Sequence, residues 1–282
     1  LFIDQLKGSS GRRPKRELKN LKKVEIAIIS GTGFEKVFKC LEQLRIETPY
    51  GLPSPVCIAR IDGKSIAFLP RHGLNHCIPP HKINYRANIY ALHKLGVERV
   101  IAVNAVGAIN LKFKPAEVVV PHDFVDFTKL RCTTFYDEAP VTHVDVSQPY
   151  CPELRKNLVE TAKKLGLRAW NKAVLVCTEG PRFETPAEIE MFRRLGCDIV
   201  GMTGIPEAVL AREMEMCYAS LCYISNMAAG LQERLTALEV SKVYQQIIPK
   251  VEQLLIETIR ILPIPRKGKC PCASALRDAR FK

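Results

Sequence analysis

Apolar and polar positions along this chain follow two alternating rhythms. Residues 24–30, VEIAIIS, form an apolar, β-branched run that ends at a Gly-Thr-Gly turn, the mark of a buried strand. Residues 55–70 read as a hairpin folded around Asp62-Gly63. Residues 83–96 carry apolar positions at helical spacing and stop at Gly96, and residues 97–109 return to a buried strand that breaks at a small-residue turn. Residues 117–127 predict a further strand, 151–166 an amphipathic helix with a glycine stop, and 172–183 a strand running into a loop. Residues 185–196 predict a helix with Thr185 as N-cap and Pro186 in its first position. A short strand at 197–203, a helix at 205–214, a strand at 217–225 and a long helix at 241–262 with Pro249 inside it complete the pattern. Strands alternating with helices predict a single α/β domain on a largely parallel sheet, with no internal repeat and no linker in its body.

Composition adds bounds. The chain has 282 residues, 47% hydrophobic and 25% charged, enough for a sizeable core. No apolar run is long enough to span a bilayer, and no charged-then-apolar signal opens the sequence, so a soluble cytoplasmic protein is expected. The formal charge of +13 is unevenly spread: residues 1–23 carry a net +6 and residues 266–282 a net +5, leaving a body near +2. The expected organisation is a basic tail at 1–23, a domain at 24–262 and a second basic tail at 263–282. Basic tails are attracted to nucleic acid without reading its sequence. Neither tail interleaves aromatics that would stack bases, and both read as solvated extensions rather than nucleic-acid partners.

The 11 cysteines are scattered. Cys40, Cys57, Cys77, Cys132, Cys151, Cys177, Cys197, Cys217 and Cys222 sit mostly among apolar neighbours and read as small buried hydrophobes in a reducing compartment. Cys270 and Cys272 form a close pair, KCPCAS, in the second basic segment. No second Cys/His pair lies nearby at zinc-ligand spacing, so no metal site is expected. A redox-active or stapling pair is the alternative.

In open α/β sheets, ligands bind at the carboxyl ends of the strands. Those ends carry Ser30, Gly31, Thr32 and Gly33; Arg71 and His72; Asn104 and Ala105; Glu179, Phe183 and Glu184; Met202 and Thr203; Ser225 and Asn226. Hydroxyls, helix-start amides and one guanidinium, with no acid among the phosphate candidates, describe an anion site. Each residue alone has a plain structural reading: a tight turn, a surface pair, a helix cap, a core methionine.

Taken in order, SGTGF, LPRHG, HCIPPHKINYRAN, NAVGAI, EGPRFETPAE and GMTGIPEAVLARE resemble the methylthioadenosine phosphorylase and purine nucleoside phosphorylase family over residues 24 to 262. The resemblance implies a single-domain fold with a twisted mixed sheet flanked by helices. It implies phosphorolysis of a purine nucleoside to free base and sugar 1-phosphate, with inorganic phosphate as co-substrate and no metal or organic cofactor. It also implies a homotrimer, or a hexamer built from trimers. Phosphate falls to Thr32, Arg71, His72, Asn104, Ala105 and Thr203. Met202 falls against the sugar, and Phe183, Glu184, Asn226, Met227 and Ala228 form the base side. Arg71, His72 and Asn226 are the catalytic candidates. The methylthio-type pattern has Thr where this chain has Asn104.

Asn226 and Ala228 stand where 6-aminopurine enzymes of the family carry two aspartates. A 6-amino group donates hydrogen bonds and a 6-oxo group accepts them, so an amide that both donates and accepts suits a 6-oxopurine. Glu184 points the same way, because a 6-oxopurine carries a proton on N1 that a carboxylate accepts. The resemblance therefore leads to the 6-oxopurine branch, with inosine, guanosine and S-methyl-5′-thioinosine as substrates. Val240 and Val243 match the apolar 5′ pocket, or are plain core residues of the last helix. His143 resembles a residue that reaches into a neighbouring subunit's site. The competing classes are a methylthioadenosine phosphorylase and a basic nucleic-acid-binding protein on a phosphorylase-like body.

Overall fold

The computed structural model describes residues 24–31, 39–233, 237–266 and 270–280, and for residues 237–241 the backbone alone. Thr32, the 1–23 segment and the side chain of Val240 lie outside the described residues. The described strands are β1 (Ile26–Ser30), β2 (Glu42–Leu44), β3 (Val56–Ile61), β4 (Lys64–Pro70), β5 (Arg99–Ala108), β6 (Val118–Val119), β7 (Asp123–Phe127), β8 (Ala169–Trp170), β9 (Val174–Thr178), β10 (Ile199–Gly201) and β11 (Cys217–Met227). The helices are α1 (Tyr85–Lys94), α2 (Pro152–Lys164), α3 (Pro186–Arg194), α4 (Ile205–Glu213) and α5 (Ala237–Ile261).

All described strands join one mixed sheet. β1 pairs in parallel with β4 and β5, and β5 in parallel with β11. The β3–β4 hairpin is antiparallel, as is the β10–β5 pairing. The hairpin turns where expected, with Asp62 and Gly63 both at positive φ.

Period-two alternation sorts the two faces. Ile26, Ile28, Phe68, Ile101, Ala219 and Leu221 pack under α2 and α5, while Ala27, Ile29, Leu69, Val100, Ala102 and Tyr218 pack under α1 and α4. A strand buried on both faces reads as an unbroken apolar run, which is why β1 and β5 are so plain in the sequence. Each fully buried Leu or Ile contributes about 1.5–3 kcal/mol. α5 runs through Pro249, and its last turn is closed from outside. Lys64 Nζ donates to the carbonyls of Ile259, Arg260 and Leu262, each at 2.7 Å, satisfying acceptors that a helix end leaves open.

The expected strand over 117–127 is two strands. β6 pairs with β11 and β8, β7 pairs with β9, and Pro121, which has no N–H to give a ladder, lies between them. β11 runs two residues further than expected, with a register shift between Ile224 and Asn226, so Asn226 lies within the strand rather than beyond its end.

The second basic segment differs from a solvated tail. Cys272 and Ala279 are buried. The Leu276 amide donates to Glu215 Oε1 at 3.2 Å, and the His143 amide to the Ala279 carbonyl at 2.8 Å. Arg266 donates to the Glu215 carbonyl, and Arg280 to Thr142 Oγ1. Two of the charges counted as tail are thus engaged with the body. The cysteines depart from expectation as well: Cys40 and Cys57 form a disulfide, and Cys77 and Cys132 are exposed. Among the described residues no helix is long and apolar enough to cross a membrane.

α3 starts as its sequence indicates. Glu188 N donates to Thr185 Oγ1 at 3.2 Å, and Thr185 N donates back to Glu188 Oε2 at 2.7 Å, a closed capping box. Thr185→Ala is expected to lower the unfolding free energy by about 1 kcal/mol. In denaturant titration this appears as a lower midpoint at unchanged slope; an unshifted midpoint would remove the cap from the fold's support.

Candidate functional site

β5 changes partners along its length, and the cavity lies at the change. Residues 99–102 pair with β1, and residues 107–108 pair with β10. Between them β5 keeps only β11 beside it. Ala105 is the one exposed position in an otherwise buried strand. A buried backbone carbonyl must find a donor, and here a side chain provides one: Arg71 Nη1 donates to the Val103 carbonyl at 2.7 Å. The opening is a cavity of about 420 Å³ whose walls come from strand ends, Gly31, Arg71, Ala105, Met202, Thr203 and Asn226 among them. It also brings in His72, Phe183 and Glu184.

Arg71 is fully buried and heavily committed. Nε and Nη2 donate to the two oxygens of Glu207 at 2.7 and 3.1 Å, and Nη2 lies 3.5 Å from the Ile29 carbonyl. Of its five N–H groups, about one is left for the cavity. Glu207 also accepts from Tyr218 Oη at 2.8 Å. The positive charge beside the cavity is thus pre-positioned and already partnered. Beside it, α4 begins at Gly204 with no side-chain cap, and the Ile205 amide donates a hydrogen bond to Cys177.

His72 Nδ1 lies 2.8 Å from the Ile78 carbonyl, an acceptor, which fixes Nδ1 as the protonated nitrogen. Burial, with Arg71 next to it, pushes its pKa down to about 4, so the ring is neutral at pH 7.

The wall carrying Asn226 and Glu184 is equally constrained. Asn226 Nδ2 donates to the Met227 carbonyl at 2.8 Å, and Oδ1 accepts from Ser225 Oγ at 2.5 Å. That orientation leaves one amide proton and one lone pair. Glu184 accepts from Thr178 Oγ1 at 2.7 Å, and burial raises its pKa against that hydrogen bond.

Other expected residues stand elsewhere. Asn104 does not line the cavity. Its Nδ2 donates to Ser220 Oγ at 2.7 Å, and its Oδ1 accepts from Thr203 Oγ1 at 3.0 Å, so it positions Thr203 from behind. That also commits the Thr203 hydroxyl proton. Ala228 is 1% exposed in an apolar cluster with Ile109, Val176 and Phe192, and Met227 packs against a different cluster. His143 is exposed and away from the cavity, and the half-buried Val243 does not reach its wall.

Sequence reading missed Thr178, Ser220 and Glu207. It also missed Arg131, which donates to Tyr85 Oη at 3.0 Å and to the Glu179 carbonyl at 2.7 Å, tying its loop to the end of β9. Glu207 carried a signal: it is an acid in the first turn of a helix whose neighbours are all apolar.

Residues 25–260 match the sequence model of the Phosphorylase superfamily. A probable S-methyl-5′-thioinosine phosphorylase of Methanopyrus kandleri is 50% identical over 90% of this chain and 98% of its own length. A probable 6-oxopurine nucleoside phosphorylase of Korarchaeum cryptofilum is 45% identical at the same coverage, and an S-methyl-5′-thioadenosine phosphorylase of Pyrococcus abyssi is 46% identical. Among solved structures, a methylthioadenosine phosphorylase from an antarctic soil metagenomic library superposes with a TM-score of 0.86 at 33% identity, covering 92% of this chain and 93% of that one. The chain belongs to the Phosphorylase superfamily.

Two expectations follow from the site. Arg71→Met leaves Glu207 buried without its counter-charge and is expected to destabilise the fold by about 3–5 kcal/mol. Adding Glu207→Gln removes that charge and should restore most of the loss in chemical denaturation. Equal losses in single and double variants would show that the two groups are not coupled. The second concerns His72, whose folded pKa of about 4 lies below the ordinary 6.5. The unfolded chain therefore binds the extra proton first, and stability present above about pH 6.5 is lost as pH falls toward 4. Relative to His72→Gln, wild type should lose about 2–3 kcal/mol between pH 7 and pH 4.5. Parallel stability curves for the two proteins would contradict this.

Proposed function

We propose that this chain is a purine nucleoside phosphorylase of the 6-oxopurine type, acting on inosine, guanosine or S-methyl-5′-thioinosine. The observation that carries the reading is the fixed Asn226 amide, with Glu184 on the same cavity wall. Relatives with 6-oxo substrate names are 50% and 45% identical and one with a 6-amino name 46%, too close together to decide the base. The base preference must therefore be read from the pocket.

Phosphate attacks C1′ of the sugar while the bond to purine N9 breaks. Positive charge grows on the sugar and negative charge on the base. The remaining Arg71 N–H and Thr203 on the cavity wall hold the phosphate, and the family resemblance alone assigns Thr32 to it. The spare Asn226 proton meets O6, its spare lone pair meets a protonated N7, and Glu184 accepts N1–H. A carboxylate at position 226 would face O6 with two acceptors and no donor. The bond-making step uses the nucleoside and phosphate alone, without a further cofactor.

The proposed assembly, on the family resemblance, is a homotrimer or a hexamer of trimers, for which Leu130, 90% exposed, and Val141, 60% exposed, offer apolar contacts. His143 lies on the same segment, in keeping with a role at a neighbouring subunit's site. The cytoplasm is the proposed location.

The test is a substrate panel. Inosine, guanosine, S-methyl-5′-thioinosine, adenosine and methylthioadenosine are each incubated with and without phosphate, and released base is measured. Turnover should require phosphate and favour the 6-oxo compounds. Asn226→Asp should lower kcat/KM for them by about 10- to 100-fold, the cost of one unpaired buried polar contact. A wild type that prefers adenosine or methylthioadenosine would overturn the reading.

A further inference from the structure

Away from the cavity, four cysteines converge. The Sγ atoms of Cys151, Cys217, Cys270 and Cys272 all lie within 4.8 Å of one another. None of the four is in a disulfide, and the Cys217 and Cys270 sulfurs approach to 3.3 Å. Three are buried and Cys270 is half-buried. Sequence spacing hides this set. Cys151 caps the start of α2, Cys217 opens β11, and the Cys-Pro-Cys pair arrives on the segment after α5.

We propose that these residues form a structural four-thiolate site for a single zinc-class divalent ion. A tetrahedral ion with sulfur at about 2.3 Å requires sulfurs about 3.8 Å apart, within the spread seen here. The donors are all soft thiolates, with no carboxylate or imidazole in the set, which selects zinc over magnesium or calcium. The sulfurs are too close together to enclose a multi-iron cluster. Four protein ligands leave no open position, so the ion is structural and performs no chemistry on substrate. As each sulfur–metal bond forms, the thiol proton leaves to solvent; no electrons move.

The surroundings suit the resulting anionic complex. Arg266 Nη1 lies 3.5 Å from Cys217 Sγ and also donates to the Glu215 carbonyl. The positive end of α2, a 13-residue helix, begins at Cys151. The Cys151 amide donates to the Tyr218 carbonyl at 2.8 Å, which holds α2 against β11 before any ion arrives. The site would clip the segment after α5 to the amino-terminal end of the sheet.

The experiment uses the full chain purified under reducing conditions without chelator. Elemental analysis should find about one zinc per chain. Replacement with cobalt should give the visible d–d bands and near-ultraviolet charge transfer of a tetrahedral thiolate site. The double variant Cys270→Ser/Cys272→Ser should lose both signals and have a lower melting temperature. Should that variant fail to fold, wild type still decides the matter. Alkylation of the denatured, unreduced protein followed by mass spectrometry should count these four residues as free thiols, shielded in the native protein until chelator is added. Disulfide-linked peptides among the four, or wild-type protein that binds neither zinc nor cobalt, would overturn the proposal.

Discussion

The buried pairing of Arg71 with Glu207 is the contact around which the cavity end of this sheet is arranged. A guanidinium and a carboxylate that are both inaccessible to water persist only with near-complete hydrogen bonding. Each remaining N–H and lone pair therefore recruits a further element. Arg71 follows β4, reaches the carbonyls of β1 and β5, and meets Glu207 on α4, which Tyr218 of β11 approaches from the next strand. Five elements share one ion pair, so none can shift without leaving a buried charge exposed to an apolar neighbour. The cost of such a charge, several kcal/mol, is a large part of the 5–15 kcal/mol that a fold ordinarily has in hand. The same arrangement explains how a cation can stay buried at the wall of the cavity. It is neutralised internally, and the cavity receives one directed donor rather than a bare charge.

The Asn226 side of the cavity follows the same logic with neutral groups. An amide is ambiguous until its neighbours fix it, because rotating it by half a turn exchanges donor and acceptor. Ser225 and the Met227 carbonyl remove that ambiguity at Asn226 by occupying one group of each kind. Thr178 similarly leaves Glu184 with an oxygen to spare. Under the proposed function, specificity for a 6-oxo over a 6-amino purine would rest on unmatched polar groups, which discriminate far more strongly than a difference in pocket size. Ala228 contributes differently from the sequence argument. It fills an apolar cluster behind the strand, where a carboxylate would be buried without a partner, so its identity is set by packing.

The fold was largely legible because its strands are buried on both faces and its helices carry their own stop and start signals: Asp62-Gly63 at the hairpin, Gly96 and Gly166 after helices, Thr185-Pro186 before one. The strand-end rule found Arg71, His72, Ala105, Phe183, Glu184, Met202, Thr203 and Asn226 on the cavity wall. It failed where orientation rather than position decides. Asn104 neighbours Ala105, yet strand alternation turns its side chain the other way, towards Ser220 and Thr203. Partners distant in sequence were invisible for the same reason: Glu207 is separated from Arg71 by 136 residues, and Cys217 from Cys270 by 53. The two-residue strands β6 and β8 carry too few positions for a period to appear.

β11 joins the two special regions of the molecule and keeps them apart. Cys217 opens the strand and Asn226 stands near its end, so at about 3.3 Å per residue the thiol cluster and the Asn226 amide are roughly 30 Å apart. An ion at the first end has no electrostatic route to a leaving base at the second that solvent and intervening dipoles would not attenuate. Its influence has to be mechanical. β11 is hydrogen-bonded to β5 from Cys217 to Met227, with the register shift falling between Ile224 and Asn226. Anchoring the strand's first residue to α2 and to the segment after α5 fixes the register from which that shift is measured. A slip of one residue would carry every side chain of β11 to the opposite face. Asn226 would then leave the cavity and its amide would enter the apolar layer. The value of a clip at the quiet end of the strand thus lies in holding the Asn226 end in register.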